Sequence, residues 1–200
     1  MADILYVFEG NLYINLTNQC PCNCTFCIRS HGEGQGTAES LWLTREPSSA
    51  EVIAEFGKYN LSDFEEVVFC GYGEPLNALD TLLCVCKYIR SISNIKIRIN
   101  TNGLGDVING KPTAPLLKDH VDIVSISLNA PNAEKYNELC HPVYGLEAFP
   151  AILKFANDCK QYVPMVKFTV VDVISKQDIE NCKQLSQDMG IKLRVRNFSD

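Results

Sequence analysis

The chain contains 200 residues, of which 46% are apolar, and it carries a formal net charge of −6 at pH 7. These values are typical of one globular domain, 1–200. The negative net charge argues against general nucleic-acid binding, which requires a basic surface. No apolar stretch approaches the length of a membrane span, and Met1-Ala2-Asp3 introduces no export signal. We therefore expect a cytoplasmic protein whose ten cysteines stay reduced.

The first predicted strand leads into a dense group of cysteines. Leu12–Thr17 alternates apolar and polar residues, as strands do. Cys20, Cys24 and Cys27 follow with C-x3-C-x2-C spacing, which suits three thiolate ligands of one cubane iron–sulfur cluster and leaves the fourth iron open to an exogenous ligand. Cys22 interrupts the motif and could be a spare thiol or an alternative ligand.

Two other uses of these cysteines need different surroundings. A zinc knuckle on the four cysteines between Cys20 and Cys27 normally requires a second pair of ligands, and no C-x2-C or H-x3-H follows. Disulfides require an oxidising compartment.

The cysteines elsewhere in the chain show no metal-binding pattern. Cys140-His141-Pro142 indicates a helix end rather than a metal site. We expect the remaining cysteines to be inert and not to bind an auxiliary cluster: Cys70, Cys84, Cys86, Cys140, Cys159 and Cys182.

Helix and strand signals alternate along the rest of the chain. The cysteine loop, 18–47, includes the glycine-rich tract His31–Gly36. A capping box at Ser48 and Glu51 then starts a helix that extends to Tyr59. Strands are predicted over Glu66–Cys70, Ile95–Asn100, Val121–Leu128, Val166–Val173 and Ile191–Val195, helices from Asn77, Asn132, Glu147 and Ser175, and turns over 102–112. About six right-handed βαβ units of this kind form a parallel sheet curled into a partial, open (β/α)6 barrel.

The strands predict a polar inner face. In Ile95–Asn100 the isoleucines must face the helices, so Lys96, Arg98 and Asn100 point to the other side. An unpaired polar interior would be costly, which favours a lumen wide enough for a cofactor and a small substrate. The lysines and arginines of this lumen favour anionic ligands. In the other strands the same alternation assigns the following residues to the inner face: Tyr13, Asn15, Thr17, Ser125, Ser127, Asn129, Lys167, Thr169, Lys192, Arg194 and Arg196.

Loops at the C-terminal ends of parallel strands carry the chemistry in such folds. Gly71–Pro75 follows the second predicted strand, and its glycines let the backbone approach a ligand closely, although a tight turn closed by proline is an equal explanation. Asn100–Gly103 ends the third strand. Polar residues that end the later strands are Ser127, Asn129, Asp172 and Arg196, each of which ordinary turn chemistry would also explain.

The cysteine motif, with the aromatic Phe26 before its last cysteine, resembles the signature of the radical S-adenosylmethionine (SAM) superfamily. Gly71–Pro75 resembles the Gly-Gly-Glu motif of that family, with Tyr72 in place of the first glycine. The resemblance implies a six-unit open barrel, a 4Fe-4S cluster and SAM. It implies that Cys20, Cys24 and Cys27 bind the cluster and that the SAM contacts come from Phe26, Tyr72, Gly73, Glu74, Pro75, Asn102, Ser127, Asn129, Asp172 and Arg196.

The same resemblance implies reductive cleavage of SAM, with a ferredoxin or flavodoxin as electron donor. Strings such as Leu12–Asn18 and Val68–Pro75 look like the small TatD-linked radical SAM proteins, which implies a functional link to a TatD-type hydrolase. Activases of glycyl radical enzymes and carboxy-deazaguanine synthase are alternatives within the family. A non-catalytic iron–sulfur or SAM-binding module is the alternative from another class.

Overall fold

Seven strands form one sheet in the computed structural model, which describes residues 3–30, 32 and 34–198. The sheet order follows the chain, with β1 antiparallel to β2 and every later neighbour parallel. No pairing among the described strands joins β7 to β1, so the predicted open, six-unit parallel barrel is confirmed. The strands are β1 Leu5–Phe8, β2 Asn11–Ile14, β3 Glu66–Phe69, β4 Lys96–Thr101, β5 Ile123–Ser127, β6 Met165–Val171 and β7 Lys192–Arg196.

Strand β1 was not predicted. It joins β2 through the two-residue turn Glu9-Gly10, in which both residues have positive φ, 45° and 73°. Such turns match the natural twist of a hairpin, and their preferred first residue is asparagine or aspartate. Glutamate occupies that position here, so the sequence contains no turn signal that would mark the end of the short run Leu5–Phe8.

Six α-helices occupy the described part of the chain, and most begin at the predicted residues. Ser48 and Glu51 form the capping box, and the side chains of Asn132 and Ser175 cap their helices as well. Within this part of the chain, no helix combines the length and apolarity needed to cross a membrane. The helices are α1 Ser49–Glu55, α2 Leu79–Ile92, α3 Gly105–Asn109, α4 Ala133–Cys140, α5 Ala148–Cys159 and α6 Lys176–Asp188.

Three helix predictions were wrong in detail. The helix expected to reach Tyr59 ends at Glu55 and continues as one 3-10 turn. Asn77 does not cap α2, because it lies inside a preceding 3-10 turn that the Glu74 side chain caps. The predicted turns over 102–112 contain the short helix α3, which ends at Gly110 with φ +62°.

The two faces of the sheet differ as predicted for β4. Ile97 and Ile99 are fully buried in the main core under the helices, whereas Arg98 and Asn100 lie half-buried on the inner face. The inner face is not polar throughout, however. Its β1–β3 part is covered by a second apolar cluster, so Tyr13 is packed rather than exposed to a lumen; the cluster comprises Tyr6, Tyr13, Ala38, Leu41, Val68 and Tyr72.

Candidate cluster and cofactor site

The cysteine loop leaves the C-terminal end of β2, the first parallel strand. Cys20, Cys24 and Cys27 are all half-buried there, whereas Cys22 is buried. Local backbone hydrogen bonds shape the loop, from Cys27 N to Cys24 O at 3.2 Å and from Ser30 N to Cys27 O at 3.0 Å. Of the glycine-rich tract that follows, His31 and Glu33 lie outside the described residues.

The C-terminal end of α4 holds this loop in place. Asn23 N donates to Cys140 O and Thr25 N donates to Leu139 O, both at 3.0 Å. Val143 N, just beyond the helix, donates to Pro21 O at 2.9 Å. The last carbonyls of a helix have no partner within the helix, so the cysteine loop satisfies groups that would otherwise need water.

Polar side chains surround the thiols. Asn102 Nδ2 lies 3.9 Å from Cys20 Sγ, and Arg29 Nε lies 3.4 Å from Cys27 Sγ. A hydrogen bond with Cys140 and burial raise the pKa of Cys24, and one with Cys22 together with burial raises that of Cys20. These thiols are therefore protonated at neutral pH. Iron binds thiolates, so loading of the site must release protons.

The glycine loop after β3 packs directly on the chain that enters the cysteine loop. A Cβ atom on Gly73 would lie 2.2 Å from Thr17 O, and Glu74 N donates to Gln19 O at 2.8 Å. A Cβ atom on Gly71 would lie 2.1 Å from Asn15 Oδ1. Glycine is needed at both positions because side chains would separate the two loops.

Asn15 provides a buried acceptor at this contact. Its Nδ2 donates to Leu41 O at 2.8 Å, which fixes the amide, while Oδ1 has no hydrogen-bond partner among the described residues. Buried polar atoms without partners are rare in proteins. Three half-buried thiols on one loop suit three irons of a cubane and leave the fourth iron open, so the residues present fit a 4Fe-4S cluster with SAM as its exogenous ligand.

The carboxylate of Glu74 ties the loop after β3 to the loop after β4. It is 3% exposed and accepts hydrogen bonds from Leu76 N at 3.1 Å, Thr101 Oγ1 at 2.7 Å and Asn102 N at 2.7 Å. Burial raises the pKa of Glu74 to about 7. Because its side chain is committed to the protein, its predicted role towards SAM falls to its backbone and stays a prediction.

Tyr72 and Phe26 direct their side chains away from the loop contact. Tyr72 is 4% exposed and packs edge-on against Trp42, with ring centroids 5.0 Å apart, so its predicted role also falls to the backbone. Phe26 is half-buried and packs on the main core. Pro75 is buried at the start of the 3-10 turn. Their contacts with SAM stay predictions.

The other predicted cofactor residues divide into two groups. Asn102 and Asn129 adjoin the cysteine loop; Asn129, with φ +57°, places Nδ2 3.8 Å from Cys140 Sγ. Ser127 lies half-buried on the inner face, in register with Thr169. Asp172 directly follows β6 and Arg196 is the last residue of β7. Asp172 Oδ1 accepts a hydrogen bond from Phe198 N at 2.8 Å. The roles predicted for these residues towards SAM are untested.

Two buried α4 residues face the cysteine loop: Tyr136, which the sequence analysis did not single out, and Cys140, which it expected to be inert. Tyr136 places its hydroxyl 3.8 Å from Cys22 Sγ, and Cys140 is close enough to Cys24 to raise its pKa. They lie four residues apart, so they share one helix face. No local signal marks this contact, which arises only when α4 docks.

The inner face of β4–β7 is basic. Arg98 Nε donates to Glu66 Oε2 at 2.6 Å and is largely buried. Burial and the charges of Arg98 and Arg194 lower the pKa of Lys167, against the opposing effect of Glu66. Burial raises the pKa of Cys70 on the same face, whereas Asn100, Arg196 and Arg98 lower it. Glu66 pairs with Arg98 and also acts on Lys167, and the face carries two further cations, Arg194 and Arg196.

The thiols are not arranged around a single ion. Across residues 3–30, 32 and 34–198, no set of three His, Cys, Asp or Glu side chains is spaced for one metal ion. A cubane binds each thiolate through a different iron, so it does not need that spacing. The open parallel sheet, the three-cysteine loop and the adjoining glycine loop define an α/β protein built for an iron–sulfur cluster with an exogenous ligand.

The sequence matches the model of the Radical SAM superfamily over residues 14–185. The chain therefore belongs to the radical SAM superfamily, whose members are enzymes that use a 4Fe-4S cluster and SAM.

Similar proteins fall within the same superfamily. The chain is 28% identical to the probable dual-specificity RNA methyltransferase RlmN 1 of Protochlamydia amoebophila, an alignment that covers 93% of this chain and 51% of the relative. It is 27% identical to the probable GTP 3',8-cyclase of Methanocaldococcus jannaschii, over 94% and 58%. The crystal structure of Streptococcus suis SuiB bound to SAM superposes with a TM-score of 0.66 at 19% identity, over 96% and 41%. The chain thus spans about half the length of these curated relatives.

Proposed function

We propose that this chain is a radical SAM enzyme that abstracts hydrogen from a small anionic substrate. When bound, the reduced 4Fe-4S cluster supplies the electron that splits SAM into methionine and a 5'-deoxyadenosyl radical, which takes the hydrogen atom. The observation that carries the proposal is the direct packing of the glycine loop on the cysteine loop, with Glu74 N bonded to Gln19 O at 2.8 Å. This contact puts the residues for cluster and cofactor side by side.

The cysteines divide the work between them. Cys20, Cys24 and Cys27 are half-buried and bind the cluster, whereas the buried Cys22 packs against Tyr136 and is left unligated. Arg29 Nε donates to Cys27 Sγ at 3.4 Å and so helps to fix the position of this sulfur. A low-potential protein, ferredoxin or flavodoxin, supplies the electron.

The basic inner face selects the substrate. Arg98 on β4 and Lys167 on β6 share the half-buried inner face and are close enough for their charges to interact, and a carboxylate or phosphate there would form charge-assisted hydrogen bonds. Burial first, and then the charges of Arg98 and Arg194, lower the pKa of Lys167, and a bound anion would offset the cost of that charge. A formal charge of −6 makes this positive surface a local feature, which suits a small anion better than a long nucleic acid.

The sequence supports one hypothesis about a partner and three alternative activities. The resemblance to TatD-linked proteins supports a functional link to a TatD-type hydrolase. A glycyl-radical-enzyme activase would act on a protein backbone, and a carboxy-deazaguanine synthase-like enzyme would act on a small carboxylate, which the basic face accommodates as well. A non-catalytic module would bind cluster and SAM without turnover.

Anaerobic reconstitution tests the reaction. The reduced chain with iron, sulfide and SAM should produce 5'-deoxyadenosine and methionine, and Cys24→Ala should abolish both products. Cys84→Ala, at an exposed position on α2, is the matched control and should retain them. Cluster binding without deoxyadenosine would favour the non-catalytic module, and a purified chain that carries zinc without iron would contradict both.

Deuterium transfer tests the substrate class. Small molecules from cells grown in deuterated medium are separated by anion exchange, and each fraction is incubated with the reconstituted enzyme. Retained, anionic fractions should transfer deuterium into deoxyadenosine, and Lys167→Met should lower that transfer at least tenfold. Lys87→Met, which removes an exposed lysine on α2, serves as control. Transfer from unretained fractions alone would contradict an anionic substrate.

A further inference from the structure

Two thiols from distant parts of the chain meet beneath the cysteine loop. Cys24 lies on the loop after β2 and Cys140 is the last residue of α4. The two side chains are close enough for Cys140 to raise the pKa of Cys24. The backbone on both sides of Cys24 is fixed to the same helix end, from Asn23 N to Cys140 O and from Thr25 N to Leu139 O, each at 3.0 Å. The contact is therefore held by main-chain geometry as well as by the side chains.

We propose that Cys24 and Cys140 form a reversible disulfide when the chain is oxidised without its cluster. The disulfide itself does not depend on the proposed function, but its consequence does, because Cys24 is a predicted cluster ligand. The pair would then be a redox modification site that withdraws one ligand under oxidising conditions and returns it on reduction.

The exposure of the two thiols sets the order of events. Cys24 is half-buried and can meet a small oxidant, whereas Cys140 is fully buried. The Cys24 thiol gives up its proton, attacks one sulfur of a small disulfide, such as oxidised glutathione, and releases one glutathione thiol. Cys140 then loses its proton, attacks the Cys24 sulfur of this mixed disulfide and releases the second glutathione thiol. Two protein thiols are oxidised, and one glutathione disulfide is reduced.

Other pairings within the loop are less favourable. Cys22 lies two residues from both Cys20 and Cys24, where the short backbone must distort to meet the narrow Cα and Cβ separations of a disulfide. Cys140 belongs to a separate element and already lies against Cys24. The nearby Asn129 Nδ2, 3.8 Å from Cys140 Sγ, further fixes the position of that thiol.

Peptide mapping tests the proposal without SAM or turnover. The full chain, stripped of iron by a chelator and purified without oxygen, is treated with oxidised glutathione, alkylated and digested under non-reducing conditions. Two of the ten thiols should be lost to a single cross-linked pair of peptides that contain Cys24 and Cys140. A link confined to Cys20–Cys27, or glutathione that persists on Cys24 of the wild-type chain, would overturn the proposal.

Variants and reductant complete the test. Cys140→Ser should leave glutathione attached to Cys24, whereas Cys182→Ser, at a buried position on α6, should give the wild-type link. The oxidised wild-type chain should take up no cluster until a dithiol reductant is added. If the reduced chain also fails to bind a cluster, the proposed function fails while the mapped disulfide stands. The peptide map of the wild-type chain tests the proposal even if a variant fails to fold.

Discussion

Replacement of Glu74 by glutamine probes the contact between the loops after β3 and β4. The folded-state pKa of Glu74 is raised by burial from 4.5 to about 7, so between these values the folded chain holds a proton that the unfolded chain has released. The resulting stabilisation is complete below pH 4.5 and is lost as the pH rises through about 7. With these pKa values, the unfolding free energy should fall by about 2 kcal/mol between pH 5.5 and pH 8 through this residue alone.

Glutamine does not titrate, so Glu74→Gln should remove that fall of about 2 kcal/mol from the pH profile. Urea unfolding of the reduced chain, followed by circular dichroism at pH 5.5, 6.5 and 8 without oxygen, measures it. Glu65→Gln, at an exposed position just before β3, is the matched control and should keep the wild-type profile. An unchanged pH dependence in Glu74→Gln would refute the assignment of a raised pKa to this carboxyl group.

Three further substitutions test the packing. Gly73→Ala places a Cβ atom 2.2 Å from Thr17 O and should lower the unfolding free energy by about 1–3 kcal/mol, whereas Gly57→Ala, with open space around it, should not; equal effects would contradict the loop contact. Arg98→Met leaves Glu66 without its partner and should lower the free energy of unfolding in urea by about 1–3 kcal/mol. Adding Glu66→Gln should restore part of this loss, and additive effects of the two substitutions would count against the pair. Glu9→Asn relieves a φ of 45° and should stabilise the chain by about 1 kcal/mol in thermal unfolding, and a loss would rule out the hairpin turn.

The fold was predictable where local patterns carry the information. Ser48, Asn132 and Ser175 are caps that act on their own neighbouring backbone, so their positions are visible in the sequence. Strand β1 was not predictable because Glu9 occupies a turn position where asparagine or aspartate would have marked it. The second apolar cluster was also missed, since residues of the cysteine loop such as Leu41 cover the inner face only after the loop folds back.

The site was predictable to the extent that its residues are close in sequence. Cys20–Cys27 and Gly71–Pro75 are short motifs, and their positions after consecutive parallel strands place them together. The position of Cys140 depends on how α4 docks, which no neighbouring residue indicates. The inward turn of the Glu74 side chain likewise depends on Thr101 and Asn102, which belong to the next strand and its loop.

The anchoring of the cysteine loop to α4 has a consequence for biosynthesis. Thr25 and its hydrogen-bond partner Leu139 are more than a hundred residues apart. At the ribosome, which adds about 5–20 residues per second, the ligands emerge on the order of ten seconds before the helix end that secures them. The cysteine loop can therefore take its anchored form only after α4 has been translated.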